Sequence, residues 1–338
     1  MEVIDLEAHF FTKDYLEYLR KREKVPREVM HEKETTLWYT ETAYSPRSFE
    51  IDDKMMELGE RRLNIMKAAG VTKQVLSLSP PTVQYLEEAD GVLWAKKIND
   101  DLAKVIKHYP ESYIGLASVA PQSPHKAAAE IDRAVSELGL KGVMLQSHVG
   151  EEYLDVEKYR VIFEKAEELR APIYLHPDIP CGDMLRYYAD YGFDLAGPTL
   201  GYAADAALQA MRLILSGLFD RCPGLQMMLG HMGEGLPYWL DRIDFSWKKP
   251  WTGEKPFHIE RPPSDYLRTN FTITTSGMSY LPAFMCAYMG LGADRIAFGV
   301  DYPYEDSGEA LRFIQETTIS DEDKKKILHL NAEKLLNL

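Results

Sequence analysis

With 338 residues, 45% apolar and 27% charged side chains, the chain has the composition of a globular protein with a sizeable core. Lys and Arg total 39 against 53 Asp and Glu, a formal net charge of −14, which argues against nucleic acid as a partner while leaving a small anion open to a local arginine or metal. No apolar run is long enough to span a bilayer, so no membrane partner is expected.

The opening Met1-Glu2-Val3-Ile4-Asp5 lacks the basic-then-apolar pattern of a secretory leader. Cys181, Cys222 and Cys286 are far apart and odd in number, forming neither a CxxC pair nor a disulfide framework. A reducing, cytoplasmic location is expected.

Short apolar runs rich in β-branched residues predict strands at Val3–Leu6, Gln74–Leu78, Tyr113–Val119, Gly142–Leu145, Ile173–Leu175, Leu225–Leu229, Phe271–Thr274 and Arg295–Val300. Helical spacing falls between most of them, at Met55–Ala69, Ala89–His108, Ala127–Leu138, Tyr159–Leu169 and Ala203–Phe219, with Gly or Pro near several ends. Eight strands alternating with helices predict a (β/α)8 TIM barrel. An open doubly wound sheet is the alternative, weakened by the lack of a GxGxxG after the first strand. Residues 1–338 read as one domain with excursions at about 11–50, 177–202 and 248–269. The first two leave the barrel on the face where the candidate ligands sit, and are expected to wall the pocket.

Polar residues at the carboxyl ends of barrel strands mark the chemistry. Glu7 and His9 are two apart, so strand geometry puts both side chains on one face. His176, His231 and Asp301 end the fifth, sixth and eighth strands. Three imidazoles and two carboxylates suit Zn²⁺ or another divalent ion such as Mn²⁺. Singly, each has an ordinary reading: a strand histidine is commonly a core or surface residue, and Asp301 also fits a helix cap or turn acid. Glu7 is harder to place so, because an acid in an apolar strand is costly to bury unless it is paired or metal-bound. Together, four strand ends make a metal site the better reading.

Glu234, three residues after His231, fits two roles equally: orienting the imidazole, or a first-turn acid favoured by the helix dipole. Arg242 reads as a solvated or ion-paired helix arginine. His148 follows the fourth strand and is a pocket candidate. His31, His108, His125, His258 and His329 have no partner pattern. The pairs Trp38-Tyr39 and Tyr187-Tyr188 either line an aryl pocket or pack as minor cores.

Five motifs occur in order: Leu6-Glu7-Ala8-His9-Phe10, Val75-Leu76-Ser77-Leu78-Ser79-Pro80, Leu175-His176-Pro177, Leu229-Gly230-His231-Met232-Gly233-Glu234-Gly235 and Gly299-Val300-Asp301-Tyr302-Pro303. They resemble the amidohydrolase-superfamily decarboxylases related to aminocarboxymuconate semialdehyde decarboxylase, especially the o-hydroxybenzoate branch that holds the 2,3- and 2,6-dihydroxybenzoate (γ-resorcylate) decarboxylases. Ser216-Gly217-Leu218-Phe219-Asp220, Asp241-Arg242-Ile243-Asp244 and Ile273-Thr274-Thr275-Ser276-Gly277 are similar to that branch too.

The resemblance implies a distorted (β/α)8 barrel with one divalent metal, Zn²⁺ or Mn²⁺, held by Glu7, His9, His176 and Asp301. It implies His231 beside the metal, steadied by Glu234, and Asp301 as proton donor with both assisting. The substrate would be a small aromatic carboxylic acid with an ortho hydroxyl, decarboxylated reversibly without a redox cofactor. A homodimer or homotetramer is expected on the same ground. The first motif reads Glu-Ala-His where the branch often has Glu-Glu-His; the middle position points away from the metal. The rivals are a metal-dependent hydrolase of a lactone or amide on the same site, and a catalytically idle barrel that binds no metal tightly.

Overall fold

The computed structural model describes residues 2–249 and 257–338. Chain order gives β1 (Ile4–Phe10), β2 (Arg27–Met30), β3 (Glu34–Trp38), β4 (Tyr44–Ser48), β5 (Lys73–Leu78), β6 (Tyr113–Ser118) and β7 (Gly142–Gln146). Then follow β8 (His148–Val149), β9 (Glu152–Tyr153), β10 (Ile173–His176), β11 (Met227–Leu229), β12 (Phe271–Thr274) and β13 (Ile296–Ala297). Eight of these form one parallel sheet in the order β1-β5-β6-β7-β10-β11-β12-β13. Backbone bonds from Leu6 N–H to the Phe298 carbonyl (2.9 Å) and from His9 N–H to the Tyr302 carbonyl (2.7 Å) join its two edges. The sheet is therefore a nearly closed barrel ringed by helices, the (β/α)8 architecture that the alternating pattern predicts. Among the described residues, no helix is long and apolar enough to cross a membrane.

Helices approach the barrel closely where the sequence allows it. A Cβ on Gly115 of β6 would stand 2.8 Å from Leu102 and 2.7 Å from Ile106, both on the helix Glu88–His108. Glycine there lets the helix seat against the strand.

The first strand runs four residues beyond its predicted end, through Glu7 and His9: polar side chains interrupt its apolar run, and its pairing with β5 resumes at Ala8 after a register shift. The expected helix Met55–Ala69 is two helices, Phe49–Met56 and Glu60–Ala69. Ser48 caps the first and extended Gly59 opens the second, while the apolar spacing runs on across the break. The expected helix Ala203–Phe219 likewise divides at Gly217, whose φ of 73° no helix sustains. The eighth strand keeps ladder pairing only at Ile296–Ala297, while Phe298 bonds across to β1.

The excursion 11–50 carries structure of its own: the helix Lys13–Lys21 and an antiparallel sheet β2-β3-β4. Short helical turns fill 177–202. In the third excursion, residues 250–256 lie outside the described residues, and 263–270 form a helix.

Beneath the strand ends lies a polar layer. Arg62 is fully buried; its Nε donates to Gln74 Oε1 (2.8 Å) and its Nη1 to the His9 carbonyl (2.9 Å). Gln74 in turn donates to Asp5, whose other oxygen accepts from the amides of Glu7 (3.1 Å) and Val300 (2.8 Å). This network ties β1, β5 and the chain after β13 to one another directly below Glu7 and His9. Burial pushes the Asp5 carboxyl up to about 7, against its backbone hydrogen bonds.

Candidate metal centre

All five strand-end residues meet at the carboxyl end of the barrel. One ligand atom from each of Glu7, His9 and His176 lies within 4.8 Å of the others, and the same holds for Glu7, His231 and Asp301. His9 Nε2 is 3.1 Å from Asp301 Oδ1 and 3.9 Å from Glu7 Oε1. His231 Nε2 is 3.8 Å from Glu7 Oε1 and 3.7 Å from Asp301 Oδ2. The His9 and His176 rings sit edge to face, 5.1 Å apart.

Outer contacts aim each group inward. His9 Nδ1 is 3.2 Å from the Ser77 hydroxyl, and His176 Nδ1 donates to the Pro177 carbonyl at 2.7 Å, which leaves both Nε2 atoms for the centre. The Thr274 hydroxyl donates to Glu7 Oε2 at 3.0 Å, whereas Glu7 Oε1 is fully buried with no hydrogen-bond partner. A buried carboxylate oxygen left bare beside converging imidazoles is what a cation would satisfy. The donor set of imidazole nitrogen and carboxylate oxygen fits a divalent ion of the Zn²⁺ or Mn²⁺ kind.

The turn after β11 has an unusual backbone. His231, Met232, Gly233, Glu234 and Gly235 all have positive φ, between 44° and 77°, and Asp301 has φ 75°. Four of these are not glycine, and each such residue stores roughly 1–3 kcal/mol that the surrounding fold must offset. The left-handed turn folds Glu234 back, so that its Oε1 is 2.7 Å from His231 Nδ1. This is the contact that the orienting role requires. Gly230 opens the turn, where a Cβ would stand 2.8 Å from the Tyr174 hydroxyl and 3.3 Å from Glu7 Oε2.

Electrostatics follow from the crowding. Burial alone would raise the Asp301 carboxyl, but the imidazoles of His231 and His9 outweigh it and hold the group well below the usual carboxylate range. Burial would lower His231, yet Glu234 and Glu7 carry it well above its ordinary value. His176 is pushed well below, by burial and by its neighbours His9 and His231.

Several neighbours carry no sequence signal. Arg47 on β4 is buried beside Tyr304. Its Nη2 contacts Glu28 Oε1 (3.2 Å) and Asp52 Oδ1 (2.9 Å), while Nε and Nη1 have no hydrogen-bond partner. The Tyr304 ring lies 6.2 Å from His9 and its hydroxyl 3.3 Å from Ser79 Oγ. A lone arginine in Tyr44-Ser45-Pro46-Arg47-Ser48 looks like any surface charge; only the inward alternation of β4 sets it apart. Tyr39 packs into a minor core with Ile179 and Ala196, and Tyr187 is exposed. Arg242 is exposed, over the Phe245 ring. His148 stands in a separate cluster, while none of the five unpatterned histidines joins a metal-capable group among the described residues. A cavity of about 490 Å³ lined by Arg170, Gln226 and Arg295 opens at the opposite, amino-terminal face, away from the cluster.

A charged, metal-ready cluster at the carboxyl end of a (β/α)8 barrel defines a metal-dependent barrel enzyme. Residues 4–338 match the Amidohydrolase family. The chain is 35% identical over 297 residues to the gamma-resorcylate decarboxylase of Polaromonas sp. (strain JS666 / ATCC BAA-500), covering 86% of this chain and 90% of that one. The 5-carboxyvanillate decarboxylase of Sphingomonas paucimobilis superposes with a TM-score of 0.89 at 30% identity, over 100% of this chain and 99% of that one. A dihydroxybenzoic acid decarboxylase from Polaromonas sp. JS666, solved with bound manganese and the inhibitor 2-nitroresorcinol, gives 0.85 at 32% identity, over 100% and 97%. The chain belongs to the amidohydrolase family, on its decarboxylase branch.

Proposed function

We propose that the protein removes CO2 from an aromatic acid bearing a hydroxyl ortho to its carboxylate, without net oxidation. The observation that carries this reading is the bare, buried Glu7 Oε1 ringed by His9, His176, His231 and Asp301, in a chain similar to hydroxybenzoate decarboxylases along its length. Glu7, His9, His176 and Asp301 are the proposed ligands of one divalent ion, Mn²⁺ or Zn²⁺. When bound, that ion would supply Lewis-acid charge to the anionic substrate.

The protein's own groups manage the proton. Asp301, which its neighbours hold ionised, takes a proton from His231 (Nε2 3.7 Å from Asp301 Oδ2) and delivers it to the ring carbon that carries the carboxyl, and solvent then reprotonates His231. The new C–H bond forms, the bond to the carboxyl breaks, and its electron pair stays in the ring as CO2 leaves. Run in D2O, turnover is expected to place one deuterium on that carbon. A ring-opened or hydrolysed product instead would sustain the hydrolase rival.

Glu234 is a positioning residue acting through His231. Glu234→Gln is expected to lower kcat about 10–100-fold with KM little changed; a rate within two-fold of native would remove it from the mechanism (roughly 0.4 kcal/mol of barrier). Arg47, with two bare nitrogens beside Tyr304, is proposed to meet a polar substituent of the substrate ring. Arg47→Lys keeps a charge against Glu28 and Asp52 but loses the planar fork. It is expected to raise KM about 10-fold at near-native kcat, and an unchanged KM would contradict that role.

The unit of function is the whole barrel with its excursions, proposed to work as a homodimer or homotetramer. Tyr238 and Trp239 on the helix Leu236–Lys248, with Tyr280, Leu281 and Met289 on and beside the helix Leu281–Leu291, expose an apolar surface that a second copy would cover. Sedimentation should give a multiple of the chain mass; a monomer across the working concentration range would overturn this. The three cysteines are free thiols, which fits the reducing cytoplasm.

A further inference from the structure

His148 is the pocket candidate that the catalytic cluster does not absorb. It opens the β8–β9 hairpin after β7. Cys181 stands in the excursion after β10, and Asp205 lies in the helix Gly201–Leu215. One ligand atom from each of these three residues lies within 4.8 Å of the others. His148 and Asp205 are buried and Cys181 is half-buried; His148, Asp178 and Cys181 line a cavity of about 390 Å³.

One carboxylate oxygen beside this cluster has no hydrogen-bond partner. Asp178 is 1% exposed. Its Oδ1 accepts from the Ile179 amide (2.7 Å) and from the Tyr85 hydroxyl, while its Oδ2 has no hydrogen-bond partner and lies 3.9 Å from His148 Nε2. Asp205 Oδ2 lies 3.7 Å from the same nitrogen. These separations exceed a hydrogen bond. They approach the edge of a tetrahedron built on Zn–N, Zn–O and Zn–S bonds, roughly 3.3–3.6 Å from the usual bond lengths. The Tyr153 hydroxyl donates to Asp205 Oδ1 at 2.6 Å and the Ser147 hydroxyl to Asp205 Oδ2, the kind of outer support that fixes a ligating group and leaves Oδ2 a second lone pair.

We propose that His148, Cys181, Asp205 and Asp178 form a second cation site, distinct from the Glu7 centre and selective for a thiophilic divalent ion of the Zn²⁺ class. One nitrogen, one sulfur and two carboxylate oxygens make a zinc-type donor set, whereas the Glu7 cluster offers no sulfur. Nε2–H of His148 now donates to the Ile179 carbonyl at 2.9 Å. Ligation through Nε2 would break that bond and leave the ring proton on Nδ1, which has no hydrogen-bond partner, while the Cys181 thiol proton would go to solvent. The ion would tie the β8–β9 hairpin, the 177–202 excursion and the helix Gly201–Leu215 into one wall.

The test uses Mn²⁺-loaded enzyme with Co²⁺ as probe. Wild type is expected to develop a thiolate-to-cobalt charge-transfer band and, after equilibration with Zn²⁺, to hold one more ion per chain than Cys181→Ser, which loses the band. Absence of the band, its persistence in Cys181→Ser, or equal zinc counts in the two proteins would overturn the site. Wild type alone supplies a second readout that needs no variant. Zn²⁺ is expected to slow alkylation of Cys181 by iodoacetamide, read by peptide mapping, at least ten-fold, and an unchanged rate contradicts the proposal.

Discussion

Asp301→Asn is expected to lower kcat by about 10²–10⁴-fold, the range that a positioned general acid supplies, while a divalent ion stays bound. The substitution keeps the size of the side chain and one oxygen that can still ligate, and removes the carboxylate charge together with the capacity to carry the transferred proton. Asp301 is held in place by its own backbone: its N–H donates to the Glu7 carbonyl at 2.9 Å, and its φ of 75° turns the side chain toward His9 and His231. Asparagine tolerates that left-handed conformation as well as aspartate does, so the loss should be in rate and not in folding. Metal analysis and a thermal melt on the same preparation separate the two. Turnover within ten-fold of native at full metal occupancy would move the proton donor elsewhere, with His231 the first alternative.

Removing the metal should have the other large effect. Chelation followed by transfer to metal-free buffer is expected to abolish turnover. One equivalent of Mn²⁺ or Zn²⁺ should restore it. Without the ion, the buried Glu7 oxygen has no partner and two carboxylates face one another across two imidazoles. An ion present at about 100 times its dissociation constant stabilises the fold by about 2.7 kcal/mol, so the melting midpoint should fall by about 5 °C on stripping. Undiminished turnover in protein with no detectable metal would contradict the proposed role of all four ligands together.

The chain order of the barrel and the meeting of Glu7, His9, His176, His231 and Asp301 were legible because each is a polar residue at the end of an apolar run. A barrel sends all such ends to one face. Spacing alone left Glu234 undecided, since a residue three on from His231 serves an ordinary helix start equally well. The left-handed run from His231 to Gly235 brings Glu234 Oε1 to His231 Nδ1, and Gly233 and Gly235 are the trace of that run in the sequence. The sheet β2-β3-β4 has no apolar signature because its strands are short and interrupted by Pro46, and the side chains they bury are mostly polar: Glu28, Thr35, Thr36, Ser45 and Arg47. The break at Gly59 was hidden because apolar residues keep helical spacing on both sides of it.

The central claim is metal-dependent loss of CO2 from an ortho-hydroxy aromatic acid, and its most direct test is CO2 release by metal-assayed protein from a set of hydroxybenzoates: 2,3- and 2,6-dihydroxybenzoate, salicylate, 5-carboxyvanillate and 4-hydroxybenzoate. Release is predicted only from acids with the hydroxyl ortho to the departing carboxylate, lost on chelation and restored by one divalent ion. Release from 4-hydroxybenzoate at a comparable rate, or none from any of them with the metal in place, would contradict it.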